Sequence, residues 1–399
     1  MRKPKQLSAD DIGANRDRLA QLATVAERFD SFRPAIDVLT TVRAVRTIFP
    51  QVDLATRVGG WPIERFALVH GPSNEGKTLF LIGLGLSFLK LGHFFQFVDA
   101  EYTTPSTWLR AYMGEAYLRH PGFRALRPRT YEQTVDAVRA SAEAIGDAKA
   151  KGTLDPDVSC LYVVDSLRKL VPKALLAKIM KEAADAAPAR GKGRRGKGSR
   201  GIDGLGGRAA QHKAALNAQW LDELVPLLAQ TGTAMVVVAR EAEDPDAGIF
   251  DEGFKVGGGR AVYYDSSLAA RIVRAGFISD ANNRVIGERH EVQIRKTKVG
   301  KKGDQRRPVA HFSTSNGVLV PEGFDAPRDV IEQALDFEVA TLAGSYIKWG
   351  KKTLGQGFDA AVKRLHDDPD LAADFERVVR AKAEAEWAEA DAGKVEVTE

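Results

Sequence analysis

Apolar residues gather along this chain in short runs separated by stretches whose apolar positions fall three and four residues apart. Phe66 to His70, Phe94 to Val98, Leu161 to Val164 and Ala234 to Val238 are such runs, rich in valine and aromatic residues. Their continuity predicts strands buried on both faces, the parallel core of an α/β sheet with helices between them. Ala269 to Val273, Glu291 to Arg295 and Val309 to Phe312 instead alternate apolar and polar groups, which predicts half-buried antiparallel strands extending that sheet. Ahead of the sheet, Ile12, Leu19, Leu22, Ala23 and Ala26 space an amphipathic helix over Asp10 to Phe29. From Asp329 helical periodicity returns, broken by a turn at Trp349-Gly350-Lys351-Lys352, as in a small C-terminal α/β module. The expected organisation is a helical arm over 1–50, a core over 51–325, a small α/β domain over 326–380 and an acidic, flexible tail over 381–399.

Two segments interrupt the pattern. Residues 187–207 are glycine, arginine and lysine with almost no apolar group, and 244–259 mix Asp, Gly and Pro with Phe250 and Phe254. Neither composition packs a core, so both read as mobile loops. Composition otherwise narrows the class. With 44% hydrophobic and 28% charged residues, the 399-residue chain suits a soluble globular protein of more than one domain. A single cysteine, Cys160, excludes an intramolecular disulfide. No apolar stretch reaches the roughly 20 residues of a membrane span, and no secretory leader opens the chain, so a cytoplasmic location is expected. The net charge of +5 says less than its distribution, because the basic residues concentrate in a few segments.

The chemistry starts at Gly71-Pro72-Ser73-Asn74-Glu75-Gly76-Lys77-Thr78, which satisfies G-x-x-x-x-G-K-[ST] between a predicted strand and an apolar helical run. In that context the loop N–H groups and the helix N-terminus face phosphates, Lys77 reaches the β and γ oxygens of ATP, and the Thr78 hydroxyl ligates Mg²⁺. Magnesium also needs a carboxylate, and Leu161-Tyr162-Val163-Val164-Asp165 carries one at a strand end. Phe97-Val98-Asp99-Ala100-Glu101 ends another strand, where a carboxylate can act on the attacking water. Spacing does not choose between Asp99 and Glu101.

Together these segments resemble the RecA recombinase family. Gly59-Gly60-Trp61-Pro62, the phosphate loop, Val98-Asp99-Ala100-Glu101, Val163-Val164-Asp165-Ser166 and Arg295-Lys296-Thr297-Lys298 follow the family's order, and Ile347 to Lys352 with Gly355-Gln356-Gly357 are similar to its C-terminal domain. The resemblance implies a RecA-like P-loop NTPase core with a mostly parallel central sheet. It implies a DNA-dependent ATPase that assembles head to tail into filaments on single-stranded DNA and pairs it with double-stranded DNA in recombination and repair. By position it makes Glu101 the catalytic glutamate, Trp108 the ring stacked on adenine, and Lys296 and Lys298 the lysines that reach the ATP of a neighbouring copy.

It also places two DNA-binding loops on the irregular segments. Arg190, Lys192, Arg194, Arg195, Lys197 and Arg200 would meet phosphates in the first. Phe250 or Phe254 would contact bases in the second, and Gly258, Gly259 and Arg260 would open a helix onto a DNA phosphate. The chain departs from the family at Arg240, where a glutamine senses the γ-phosphate, and at Pro105, where an acidic residue lies near the base. Arg240 either meets the γ-phosphate as a cation or pairs with Glu241 or Asp244. These departures mark a divergent member, of phage or unusual bacterial kind. The alternatives are a RecA-like motor or helicase, since one core serves both, and a nucleotide-switched DNA-binding mediator without strand exchange.

Overall fold

A computed structural model describes residues 42–185, 207–243, 254–300 and 309–392. The helix expected over Asp10 to Phe29, the basic run Arg190 to Arg200, and Phe250 lie outside the described residues. The chain divides into Met1–Val42 and Arg43–Glu399, and the architecture described is that of the second unit. Its elements are β1 (Ala44–Val45), α1 (Pro50–Ala55), β2 (Trp61–Pro62), β3 (Phe66–Gly71), α2 (Lys77–Lys90), β4 (Phe94–Asp99), α3 (Ser106–Leu118), β5 (Phe123–Leu126) and α4 (Tyr131–Ala150). They continue with β6 (Cys160–Asp165), α5 (Lys173–Asp185), α6 (Gly207–Thr231), β7 (Ala234–Glu243), β8 (Phe254–Val256), α7 (Arg260–Asp265), β9 (Leu268–Ser279), β10 (Val285–Thr297), β11 (Val309–Ser315) and β12 (Gly323–Phe324). Last come α8 (Ala326–Asp336), β13 (Thr341–Ala343), β14 (Tyr346–Trp349), β15 (Lys352–Gln356), α9 (Phe358–Asp367) and α10 (Pro369–Ala392).

The central sheet runs in the order β12-β11-β10-β9-β3-β7-β6-β4-β5, with β8 paired to the end of β7. From β9 to β5 every neighbouring pair is parallel, and β10, β11 and β12 continue antiparallel. The continuous apolar runs have a simple cause, because both sheet faces are covered. Ala67 and Val69 of β3 face a core that includes Phe80, Leu84 and Phe88 of α2. Phe66 and Leu68 of the same strand face Val138 of α4 and Trp220 and Leu224 of α6. Alternate residues thus enter opposite apolar layers, and a polar group at a strand position needs a partner of its own, as His70 of β3 has in Glu241 at 2.8 Å. Helix α4 is set by local chemistry as well: Thr130 caps it, with Gln133 closing a reciprocal capping box.

Three expectations change. The stretch Ala269 to Val273 lies in β9, which is antiparallel to β10 but parallel to β3. Pairing with β3 ends at Arg271, so Ile272 to Ser279 lie beside β10 only, and the alternation of burial sets in there. The core starts before residue 51, since Phe49 is buried and stacks on Phe80 at 5.3 Å and against Phe312 at 5.0 Å. At the other end, the expected flexible tail is helical as far as Ala392. Helix α10 is fastened there by Arg380, whose guanidinium donates to Asp53 of α1 at 2.5 Å, both side chains being buried. The antiparallel sheet β13-β14-β15 has its own apolar cluster, built from Ile331, Ile347, Leu354, Val362, Phe375 and Val379.

Candidate active site

The turn from β3 into α2 forms one wall of a cavity of about 450 Å³ at the carboxyl ends of the parallel strands. That is where open α/β sheets place their ligands. Gly71 and Gly76 both have positive φ, 145° and 92°. A side chain on Gly71 would meet the Ile272 carbonyl oxygen at 2.2 Å, and one on Gly76 would meet the His290 ring at 2.5 Å. These positions therefore need glycine for conformation and for space. Ser73, Asn74, Glu75, Gly76, Lys77 and Thr78 line the cavity, and Gly71 and Pro72 lead into it. The Lys77 ammonium donates to the Pro72 carbonyl within the loop. Burial holds it below the ordinary lysine range, with Asp165 opposing and Arg240 adding to that effect.

Asp165, at the end of β6, accepts a hydrogen bond of 2.5 Å from the Thr78 hydroxyl. Burial raises its carboxyl to about 6, against the pull of the Thr78 hydrogen bond. A buried carboxylate and a hydroxyl meeting beside a phosphate loop form a hard-oxygen donor set of the kind Mg²⁺ takes when it shares its shell with phosphates. Among the described residues no cluster of three or more His, Cys, Asp or Glu is placed to hold a metal ion. By residue type and by their 2.5 Å contact, Thr78 and Asp165 fit a magnesium ion, which if bound there would neutralise phosphate charge.

The structure separates the two acids that spacing left open. Asp99 is buried and accepts the Thr103 and Thr104 N–H groups at 3.3 and 3.4 Å and the Arg127 guanidinium at 3.0 Å. Its oxygens are committed to the β4–α3 connection. Glu101 lines the cavity, and its Oε1 accepts from the Ser166 hydroxyl at 2.7 Å. Arg240 Nη2 lies 3.1 Å from each Glu101 oxygen. Burial alone would raise this carboxyl, but Ser166, Arg240 and Lys169 outweigh it and hold it below the usual glutamate range. Arg240 therefore pairs with Glu101. Glu241 is instead occupied by His70 at 2.8 Å and by Arg271 at 2.8 and 3.1 Å, and Asp244 lies outside the described residues.

Trp108 lines the same cavity, its ring 5.1 Å from that of Tyr112. Sequence reasoning missed Tyr112, Arg274, Glu288 and His290, which complete the wall. Arg274 and its neighbours brace the phosphate loop: the Arg274 N–H donates to the Glu75 carboxylate at 2.5 Å, and its guanidinium donates to the Asn74 carbonyl at 2.7 Å. His290 stacks on Phe312 at 4.7 Å, with Nδ1 3.2 Å from the Glu75 carbonyl oxygen, and burial pushes it below the ordinary histidine value. The alternation of β10 marks His290 as inward-facing, but no spacing signal ties it to a loop some 215 positions earlier.

Other expected site residues lie away from this cavity. Lys296 donates to the Tyr263 and Tyr264 carbonyls at 2.5 and 2.8 Å, and Lys298 to the Tyr264 carbonyl at 2.7 Å. Burial and the charge of Lys298 bring Lys296 down to about 8. Phe254 is not a free wedge, because it belongs to β8 and packs between His70 and the Arg271 guanidinium, 4.8 Å above its ring. Gly258 and Gly259 border a second cavity beside Arg240, and Arg260 is exposed at the start of the six-residue helix α7.

No protein-family model matches the chain. A protein named RecA from Clostridium botulinum, strain Alaska E43, is 23% identical to it over 346 residues. That match spans 87% of this chain and 83% of the other. The chain is similar to a RecA protein over most of its length. The likeness supports a relationship to the RecA family and recombinase-like chemistry in general terms. No helix among the described residues is long and apolar enough to cross a membrane.

Proposed function

We infer that the chain is an ATP-driven DNA strand-exchange protein that assembles head to tail on single-stranded DNA. The observation carrying this reading is the convergence of Lys77, Thr78, Asp165 and Glu101 on one cavity, in a chain similar to RecA almost throughout. ATP is the substrate. The phosphate loop and Lys77 hold its phosphates, and Trp108 offers a ring face to the base. Glu101 accepts a proton from water as the water oxygen bonds to the γ-phosphorus and the bond from that phosphorus to the β-bridging oxygen breaks, giving ADP and inorganic phosphate.

The basic run from Arg194 to Arg200 supplies phosphate contacts to DNA, joined by Arg260. Lys296 and Lys298 stand on the strand-end surface away from their own cavity, which suits donation to a neighbouring copy's triphosphate. A heterologous contact of that kind does not close and builds a helix.

The test is ATP turnover with and without single-stranded DNA, together with electron microscopy in a slowly hydrolysed analogue. DNA-stimulated turnover and helical filaments are expected, and Lys77→Ala should abolish both. Rings in place of filaments would point to a helicase. Filaments without turnover would leave a nucleotide-switched mediator, and a monomer indifferent to DNA at saturating nucleotide and magnesium rejects the reading.

A further inference from the structure

Arg240 stands between two cavities. Its guanidinium faces the phosphate cavity, where Nη2 lies 3.1 Å from both oxygens of Glu101. It also lines a second, mainly apolar cavity of about 400 Å³ with Arg168, Lys213, Asn217 and Gly257 to Gly259. Its backbone carbonyl accepts the Gly257 N–H at 2.9 Å, and the carbonyl of Gly258 accepts from Asn217 Nδ2 at 2.7 Å. The glycine turn after β8 is therefore fastened directly to the residue that grips Glu101.

Glu101 is held twice over, by Ser166 and by Arg240. A carboxylate that takes a proton from water needs a lone pair aimed at that water and a charge not already neutralised by a cation. Both conditions oppose the observed pairing. The second cavity has a cationic rim, the exposed Arg168 together with Lys213, whose ammonium donates to the Arg168 carbonyl. Cationic chemistry suited to a polyanion thus borders the turn.

We propose that Arg240 is a latch on Glu101: the ion pair suppresses hydrolysis of bound triphosphate until a nucleic acid strand engaging the Gly257–Gly259 turn draws the guanidinium off the carboxylate. This rests on the ATPase reading above and adds its regulation. Arg240 acts as a positioning residue, working through Glu101.

The test measures kcat and KM for ATP with and without single-stranded DNA in the wild-type protein, Arg240→Met and Arg240→Lys. In Arg240→Met the DNA-free kcat should rise about fivefold or more toward the stimulated value, with KM within about twofold and the stimulation ratio close to one. Arg240→Lys, which keeps a cation, should restore part of the suppression. A DNA-free kcat that falls or stays level in Arg240→Met overturns the latch. Should that variant fail to fold, the wild-type structure with a triphosphate analogue and single-stranded DNA decides. Arg240 beyond hydrogen-bond reach of Glu101 supports the latch, and a persisting pair removes it. A wild-type protein without any turnover rejects the ATPase reading and the latch together, whereas DNA-stimulated turnover with an unchanged ratio in Arg240→Met rejects the latch alone.

Discussion

Asp99 ends β4 and Glu101 follows it by two residues, and their surroundings differ. Asp99 is tied to backbone N–H groups and to Arg127, whereas Glu101 faces the phosphate cavity. Glu101→Gln should therefore lower kcat by roughly 10²- to 10⁴-fold, the usual worth of a general base, with nucleotide affinity retained. Asp99→Asn should instead lower stability by about 1–3 kcal/mol, the cost of leaving buried polar groups poorly paired, and leave kcat of the folded protein within a few-fold. Single-turnover hydrolysis and urea denaturation of both variants check this. The reverse pattern would make Asp99 the base. The same residues show what the sequence could reveal. The loop motif is contiguous and Asp165 follows a recognisable apolar strand, so their meeting at one cavity could be anticipated from the pattern. The choice between Asp99 and Glu101 needed the position of Arg127, more than twenty residues on. Arg240 could be singled out as unusual, but its partner could not, because the Glu101 contact joins the ends of β4 and β7 across the sheet.

At the scale of elements, strands buried on both faces were the most legible, since a short, continuous apolar run suits a position covered above and below. Boundaries and directions were less so. Strand β9 alternates like an antiparallel strand yet pairs in parallel with β3, because alternation reports which faces are wet and not which way a neighbour runs. Helix α10 was expected to fray where alanine and glutamate dominate, but the pattern did not reveal that Arg380 finds Asp53 on α1. Burial, opposed by Arg380, raises the Asp53 carboxyl to about 6. Arg380→Leu should cost about 3–5 kcal/mol at pH 8, because it strands a buried carboxylate. A raised folded pKa means that the folded state holds the proton more tightly than the unfolded one, so the contribution to stability is lost as pH rises through about 6. With the counter-ion gone Asp53 protonates even more readily, and the deficit of Arg380→Leu should shrink toward pH 5. Urea unfolding at the two pH values reads this directly. A deficit equal at both would mean that Asp53 is not the group being stranded.

On the scale of the whole molecule, the groups proposed for catalysis fall in two places. Lys77, Thr78, Glu101 and Asp165 share one cavity, while Lys296 and Lys298 extend from the end of β10 and are held by the carbonyls of Tyr263 and Tyr264. A self-sufficient enzyme has no need of that separation, but an enzyme completed by its neighbour does, since each copy then gives lysines on one side and receives them on the other. The arrangement makes a stoichiometric prediction. Glu101→Gln alone and the double variant Lys296→Ala, Lys298→Ala alone should each be nearly inactive as homogeneous filaments. Mixed in equal amounts, they place an intact Glu101 against intact lysines at about a quarter of random head-to-tail contacts, so turnover should return to about a quarter of the wild-type rate. Recovery on mixing has no counterpart if both lysines serve their own protomer, because every copy then carries one lesion in its own site. A mixture as inactive as its components would therefore return Lys296 and Lys298 to the local role of fastening β10 to the end of α7.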